Sequence, residues 1–485
     1  MPILSSNKRA PLMIGLIIFC SLATVIVILV FLTSSYFMDK KRKIARLEPR
    51  SSIWGQNYPK EYDTWRQSAN LNYKSRSLSG SRRDLLADRP AMVILWAGYA
   101  FSRDYKAPRS HNYAVFDIRE SLRVGSPGVE GQRDLQPATC WVCKSPDAAR
   151  MIDELGPASF YKASFSSMGP EIVNAIGCAD CHNPNDLTLT ITRPALREAL
   201  SRRGIDVNKA TPKATRTLVC AQCHVEYYFQ GEGKYLTFPW DKGLTVEDME
   251  NYYDERQITD WTHAISGAPM LKAQHPDYEL FLMGPFGQND LSCADCHMPL
   301  ITENGVKYSD HQLESPLKNL STTCQNCHKK EEASLLKRVQ SWEERIRELR
   351  GRLEPELVKA HLLTRAAAEK GASPPKLTAV RKLIREAQWR WDFAVASHGA
   401  SFHAPMETLR ILSSGLERAN MALKALNDIF QELNLAPPDL PDLAAKAQAQ
   451  SYIGLNMPVL AVQKRKFLAE AVPEWLAAAR ANGRI

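Results

Sequence analysis

The chain has 485 residues, a formal net charge of +9, 44% hydrophobic residues, 24 Gly, 29 Pro and 11 Cys. That composition excludes a disordered, collagen-like or low-complexity chain, and the length allows roughly two to four domains. A chain this long buries a core without covalent staples, so its cysteines are to be read for chemistry.

From Leu12 to Thr33 the chain reads LMIGLIIFCSLATVIVILVFLT, 22 residues without a charge and long enough to cross a bilayer as a helix. Residues 1–43 are therefore expected to be a membrane anchor or uncleaved signal. Removal as a secretory signal is the alternative, although Thr33 and Ser35 make a poor A-x-A-like cleavage site. Cys20 lies inside the apolar run and reads as a bland membrane cysteine. Lys40, Lys41, Arg42 and Lys43 follow the span while only Lys8 and Arg9 precede it, a bias that by itself places the body in the cytoplasm. Long domains cross despite flanking charge, and the motifs further along require export, so an extracytoplasmic, periplasmic body is expected.

Residues from about 50 to 330 are rich in Pro, Gly, Trp and Tyr with little sustained strand alternation, which predicts loops and short helices. From about 331 to 485 the pattern turns helical: EEASLLKRVQSWEERIRELRGRLE, PKLTAVRKLIREAQWRWDFAVASH and METLRILSSGLERANMALKALNDIFQELN. Leu335, Leu336, Val339, Trp342, Ile346 and Leu349 recur at three- and four-residue steps and give one apolar face. That face packs within the monomer or forms a dimer seam, and the sequence supports both.

Ten of the cysteines fall as five C-x-x-C pairs. Four of them read C-x-x-C-H: Cys178, Cys181, His182; Cys220, Cys223, His224; Cys293, Cys296, His297; and Cys324, Cys327, His328. In this motif the thiols reach the two vinyl groups of haem and the adjacent imidazole turns onto the iron. Random placement gives roughly 0.006 such pentapeptides in a chain of this composition. Zinc knuckles also use C-x-x-C pairs, but zinc does not require a histidine directly after the second cysteine four times over. Covalent haem of this kind is attached outside the cytoplasm.

The fifth pair is Cys140, Trp141, Val142, Cys143, followed by Lys144. Read alone it is a disulfide or redox pair beside a surface lysine, or a fifth haem with a desolvated, deprotonated lysine as ligand. At this point the chain resembles the pentahaem, ammonia-forming cytochrome c nitrite reductases. The resemblance runs from about His111 to Leu412, through HNYAVFDIRESLR, CWVCKSPD, CAQCHVEYYF, APMLKAQHPDYE, CADCHMP and FHAPMETLRIL. It implies a mainly α, multihaem cytochrome c fold, with a haem-nucleated catalytic domain over 50–330 and long helices over 331–485. Those helices would carry a distal haem ligand and a homodimer interface. It further implies a lysine-ligated active-site haem at Lys144, with Arg119, Tyr227 and His275 on its distal side. Arginine and histidine suit the oxygens of nitrite as N–O bonds break, and a tyrosine suits proton donation.

The same resemblance implies calcium beside that haem, held by Glu226, the carbonyls of Tyr227 and Lys272, and Gln274, all oxygen donors as a hard cation requires. Distal ligands follow likewise: His111 for the haem at His224, His311 for that at His182, and His403 for that at His297. The last haem lacks its counterpart, because Phe286 of FLMGPFGQND stands where the family has histidine. Met283, a displaced His263 or His398, and a five-coordinate iron are the alternatives.

The implied reaction is six-electron reduction of nitrite to ammonium, with five haem c and calcium as cofactors. The implied electron donor is a membrane quinol-oxidising multihaem cytochrome, and no nucleic-acid partner is implied. A tethered electron-transfer cytochrome is the alternative, but a relay has no use for polar groups around an open iron. An oxidative hydroxylamine enzyme would carry histidine, not Lys144, at the catalytic pair.

Overall fold

The computed structural model describes residues 9–39, 42–73, 82–128 and 134–485. Lys8, Lys40 and Lys41, on which the charge-bias reading of orientation depends, lie outside the described residues. Helix α1 (Arg9–Asp39) stands apart from the body, and its apolar stretch Met13–Thr33 has no part buried in the fold. Such a surface is unfavourable in water and suits a lipid environment.

The body is helical, with three two-stranded antiparallel hairpins. They pair Tyr228–Gln230 with Tyr235–Thr237, Trp261–Thr262 with Pro269–Met270, and Leu300–Glu303 with Val306–Ser309. Three long helices form the C-terminal mass: α2 (Glu332–Glu369), α3 (Pro374–Ala396) and α4 (Pro405–Glu432). The expected apolar face of α2 turns inward, with Val339 and Ile346 buried and Leu335, Leu336, Trp342 and Leu349 half-buried.

Helix α2 runs through Pro355, where a sequence reading ends it. An interior proline costs about 3 kcal/mol, because it removes one backbone bond and crowds the preceding turn. Leu353 and Leu357 flank it and are fully buried. Each contributes about 1.5–3 kcal/mol, so their packing outweighs the proline.

Two apolar clusters make the core. One joins Val115, Trp141, Phe165 and Tyr253 to Trp389 of α3 and to Phe467 and Trp475 near the C-terminus. The other joins Met92–Ala97 and Met270 to the inner faces of α2, α3 and α4. Both draw on residues before and after 330, so the change of texture there is a change of secondary structure and not of packing. Ion pairs fix the crossing: buried Arg390 of α3 forms a two-pronged contact with Glu250 at 2.8 and 2.9 Å, and Arg385 reaches Asp254, which is exposed, at 2.9 Å.

Between these clusters lies one cavity of about 1050 Å³, walled by the loops and short helices of the first four cysteine motifs.

Candidate active site and haem ligands

In three of the cysteine motifs the second variable residue, Asp180, Gln222 or Asp295, holds the local backbone through its side chain. In CADCH the Asp180 carboxylate accepts the Gly177 N–H at 2.8 Å, and in the second CADCH Asp295 accepts the Ser292 N–H at 2.7 Å. These are N-terminal caps that hold the turn closed. Arg193, buried at the centre, donates to the Val142 and Ser145 carbonyls of the CWVCK loop and pairs with Asp180. Gln222 of CAQCH accepts from Thr192 N at 3.0 Å and donates to Asp180 O at 2.8 Å. One arginine and one glutamine thus lock three motifs together.

All ten motif thiols are unpaired, including Cys140 and Cys143, which rules out a disulfide at CWVCK. Among the described residues the only close grouping of three metal-donor groups is His224, His275 and Asp277, which contains no thiol. The C-x-x-C pairs are therefore not arranged as zinc knuckles.

Three motif histidines each face a second imidazole. Ring centres are 6.2 Å apart for His224 and His111, 6.2 Å for His182 and His311, and 6.3 Å for His297 and His403. Two imidazoles bonded to one metal at about 2 Å each stand with ring centres roughly 6 Å apart. Backbone carbonyls set the tautomers: His182 Nδ1 faces Leu187 O at 2.8 Å, His311 Nδ1 faces Ser309 O at 2.8 Å, and His297 Nδ1 faces Glu314 O at 3.1 Å. Each contact leaves Nε2 as the free donor. Burial pushes His111 down to about 3 and His297 to about 4, so both rings are held neutral as metal ligands must be. The donors, their spacing and the cavity fit covalent haem.

Two glycines make room for His403. A Cβ on Gly399 would come within 2.3 Å of the His403 ring, and one on Gly284 within 1.8 Å of its carbonyl oxygen.

His328, Cys324 and Cys327 do not border the main cavity; Cys327 and His328 are exposed, and the thiols of this last motif interact with Cys296. Met283 is half-buried against the first core cluster and does not line the main cavity. Phe286 does line it and stacks on Phe402, ring centres 4.9 Å apart. His263 is excluded as a substitute, since it stacks on His361 at 3.6 Å and its ring nitrogens bond Ile94 O and Ser266. His398 lines the cavity with its ring 5.1 Å from that of His275.

Around CWVCK the structure brings together Lys144, Tyr227 and His275, all lining the cavity. The Lys144 and Tyr227 side chains make no hydrogen bond among the described residues, which leaves both heads available. The ionisation of Tyr227 is disfavoured by burial and by its closeness to Cys143 and Cys140, so the phenol keeps its proton.

Arg119 is not part of this group. Its guanidinium donates to Gly169 O at 3.2 Å and Ile172 O at 2.9 Å, beside Trp141 and Trp475, and it does not line the cavity. Arg123 does, with its guanidinium 4.5 Å from the centre of the Phe101 ring and its charge acting on Cys140. The arginine expected from the resemblance, Arg119, is thus anchored outside the cavity, and Arg123, four residues further on, borders it. Both lie in DIRESLR, but the helix Ala114–Glu120 ends between them and Leu122–Val124 continues as a tighter turn, which redirects the second side chain.

The calcium group is also assembled. The Glu226 carboxylate is fully buried, accepting Gln274 N–H at 2.6 Å and the Tyr253 hydroxyl at 3.1 Å. Gln274 Nε2 lies 3.1 Å from Lys272 O, and an amide flip puts its oxygen in the same place. The Lys272 ammonium pairs with buried Asp392 at 2.8 Å and only partly offsets the burial of the Glu226 carboxylate. Burial, and Glu279 nearby, raise Glu226 well above its ordinary value, so a hard cation bound there would favour the ionised carboxylate.

Near His275, one acidic residue recurs. Burial alone would raise the Asp277 carboxyl, but the imidazoles of His275, His224 and His403 outweigh it and hold the group well below the usual carboxylate range.

A helical body with covalent-haem motifs around one shared cavity defines a multihaem c-type cytochrome. The chain belongs to the cytochrome c552 family, whose model matches residues 50–483. It is 50% identical over 482 residues to a cytochrome c-552 of Bacteroides fragilis, covering 97% of this chain and 98% of that one. It is 52% identical over 450 residues to a cytochrome c-552 of Porphyromonas gingivalis, covering 93% and 90%. Among solved structures it is similar to the catalytic subunit of the cytochrome c nitrite reductase of Desulfovibrio desulfuricans, described with two calcium sites. That match has a TM-score of 0.76 at 29% identity and covers 86% of this chain and 91% of the other.

Proposed function

We propose that this protein reduces nitrite to ammonium at a haem on Cys140 and Cys143, fed by four further haems on the C-x-x-C-H motifs. The balance is one nitrite, six electrons and eight protons to one ammonium and two waters. One observation carries the reading: three motif histidines are each faced by a second imidazole, whereas Lys144 stands with Arg123, Tyr227 and His275, polar groups for which an electron relay has no use.

When bound, the lysine-ligated haem supplies an open iron position and delivers the electrons. Lys144 Nζ would be the protein ligand of that haem. Arg123 holds the anionic substrate through its guanidinium and counters charge on the oxygens. Tyr227 presents a protonated phenol, and His275 holds a proton on its imidazole for the departing oxygens. His275 Nε2 lies 2.7 Å from His224 Nδ1, which fixes the ring in place.

His224 with His111, His182 with His311, and His297 with His403 are the ligand pairs of three relay haems. His328 would be one ligand of the fourth, and Phe286, where the resemblance implies a histidine, stacks on Phe402 instead. Thiol neighbours give the order of transfer: Cys143 meets Cys223, Cys220 meets Cys293, and Cys296 meets Cys324. Glu226, the Tyr227 and Lys272 carbonyls and Gln274 hold calcium next to Tyr227. Helix α1 tethers the protein at the periplasmic face of the membrane, where a quinol-oxidising multihaem cytochrome donates electrons. Half-buried Leu349 and Leu416 and exposed Met421 border a groove between α2 and α4, a surface suited to a homodimer.

The test is ammonium formation from nitrite with a reduced dye as donor. Haems that cycle normally while nitrite persists would mark the protein as an electron carrier.

A further inference from the structure

Asp277 occupies a singular place. Its carboxylate is nearly buried, with Oδ2 3.3 Å from His275 Nε2 and 3.7 Å from His224 Nδ1, and Oδ1 3.9 Å from His403 Nδ1. His403 Nδ1 has no hydrogen-bond partner among the described residues. Oδ1 is held from behind by the Ser397 hydroxyl and by Gly399 N–H at 3.1 Å. The remaining imidazole pair is different in kind, because His182 and His311 both present Nδ1 to neutral backbone carbonyls at 2.8 Å.

We infer that Asp277 is a positioning residue that serves as one shared counter-charge for the active-site histidine and for two successive relay haems, those ligated by His224 and by His403, and that it lowers both of their potentials relative to the haem at His182. The inference rests on the haem ligation proposed above. A carboxylate facing the outer nitrogen of a ligating imidazole fixes the ring and makes it a stronger donor, which favours the oxidised metal. A backbone carbonyl does this less, since it carries only a partial charge. The low dielectric around a buried group makes the contrast larger than it is at a surface. The two haems affected stand next in line before the substrate haem, so lower potentials there increase the driving force for the last transfers. The same carboxylate fixes His275, so the group that hands over protons and the haems that hand over electrons are oriented by one side chain.

The test is a spectroscopic redox titration of the full-length holoprotein, resolving haems by their low-spin paramagnetic-resonance signals. In Asp277→Asn, a substitution of equal size, the signals of the haems at His224 and His297 are expected to shift to higher potential while that of the haem at His182 stays in place. Ser397→Ala removes a donor from the same carboxylate, leaves more charge facing the imidazoles, and is expected to move the same two signals the opposite way. Superimposable titrations of wild type and Asp277→Asn, or an equal shift of every haem, overturn the inference. If Asp277→Asn does not assemble, an unmoved titration of Ser397→Ala overturns it instead. Absence of bis-histidine signals in the unaltered protein is a separate result, which sinks the ligand assignment itself.

Discussion

Arg119 and Arg123 lie four residues apart and point to different places: the guanidinium of Arg119 is anchored on the carbonyls of Gly169 and Ile172, and that of Arg123 borders the cavity beside Cys140. Arg123→Gln is therefore expected to lower kcat/KM for nitrite by about 100-fold or more, the range seen when one charged donor to a reacting oxygen is removed. Arg119→Gln leaves two buried carbonyls short of a donor, so its effect is expected in thermal stability and holoprotein yield, with KM for nitrite near wild type. Steady-state kinetics with both purified variants decide between them, and a KM effect confined to Arg119→Gln reverses the assignment.

Calcium affinity is expected to fall with pH. Burial raises Glu226 in the cation-free protein, so the empty site prefers the protonated carboxyl and must release a proton to bind calcium. Isothermal titration between pH 8 and pH 6 should show weaker binding at the acid end and proton release that varies with the buffer. Glu226→Gln should abolish the pH dependence together with most of the affinity.

The stacked pair His263 and His361 makes stability pH-dependent. Burial holds both rings neutral, His263 well below its ordinary value and His361 down to about 4, with Gln388 acting against the shift at His361. An unfolded histidine titrates near 6.5, so below that pH the unfolded chain binds protons that the folded protein refuses. The stability present above about pH 6.5 is thus lost progressively down to about pH 4. Thermal melts of the holoprotein should show a falling midpoint across this window, with a shallower slope in His361→Gln.

Gly399→Ala places a methyl group where the His403 ring stands. The ring must move, and the haem at His297 should lose its second imidazole. An optical spectrum gaining a high-spin component, with the covalent haem content unchanged, is the expected result; an unaltered low-spin spectrum would count against His403 as a ligand.

Phe286 and Phe402 show where reading by sequence stops. The absence of a histidine at position 286 is plain in the chain, and Met283 three residues earlier is a reasonable substitute on chemistry alone. The structure leaves Met283 half-buried at the edge of the apolar core, at the end of the helix Asp277–Met283, and sets two stacked phenylalanines toward the cavity. Similarly, DIRESLR offers two arginines with equal claims until the backbone changes from helix to tighter turn between them.

By itself the sequence determined the attachment points, the apolar span and the three long helices, because covalent haem motifs, a charge-free run and a three-to-four-residue repeat are local patterns with local physical causes. The partner imidazoles were accessible only through family resemblance, since His111 and His403 are distant in sequence from the motifs they face. Tertiary structure alone decided which arginine borders the cavity, which way the side chains at positions 283 and 286 turn, and that one carboxylate, Asp277, lies within 4 Å of three imidazoles from separate segments. Those are questions of direction and distance between elements, and packing of the two cores around a shared cavity is what sets them.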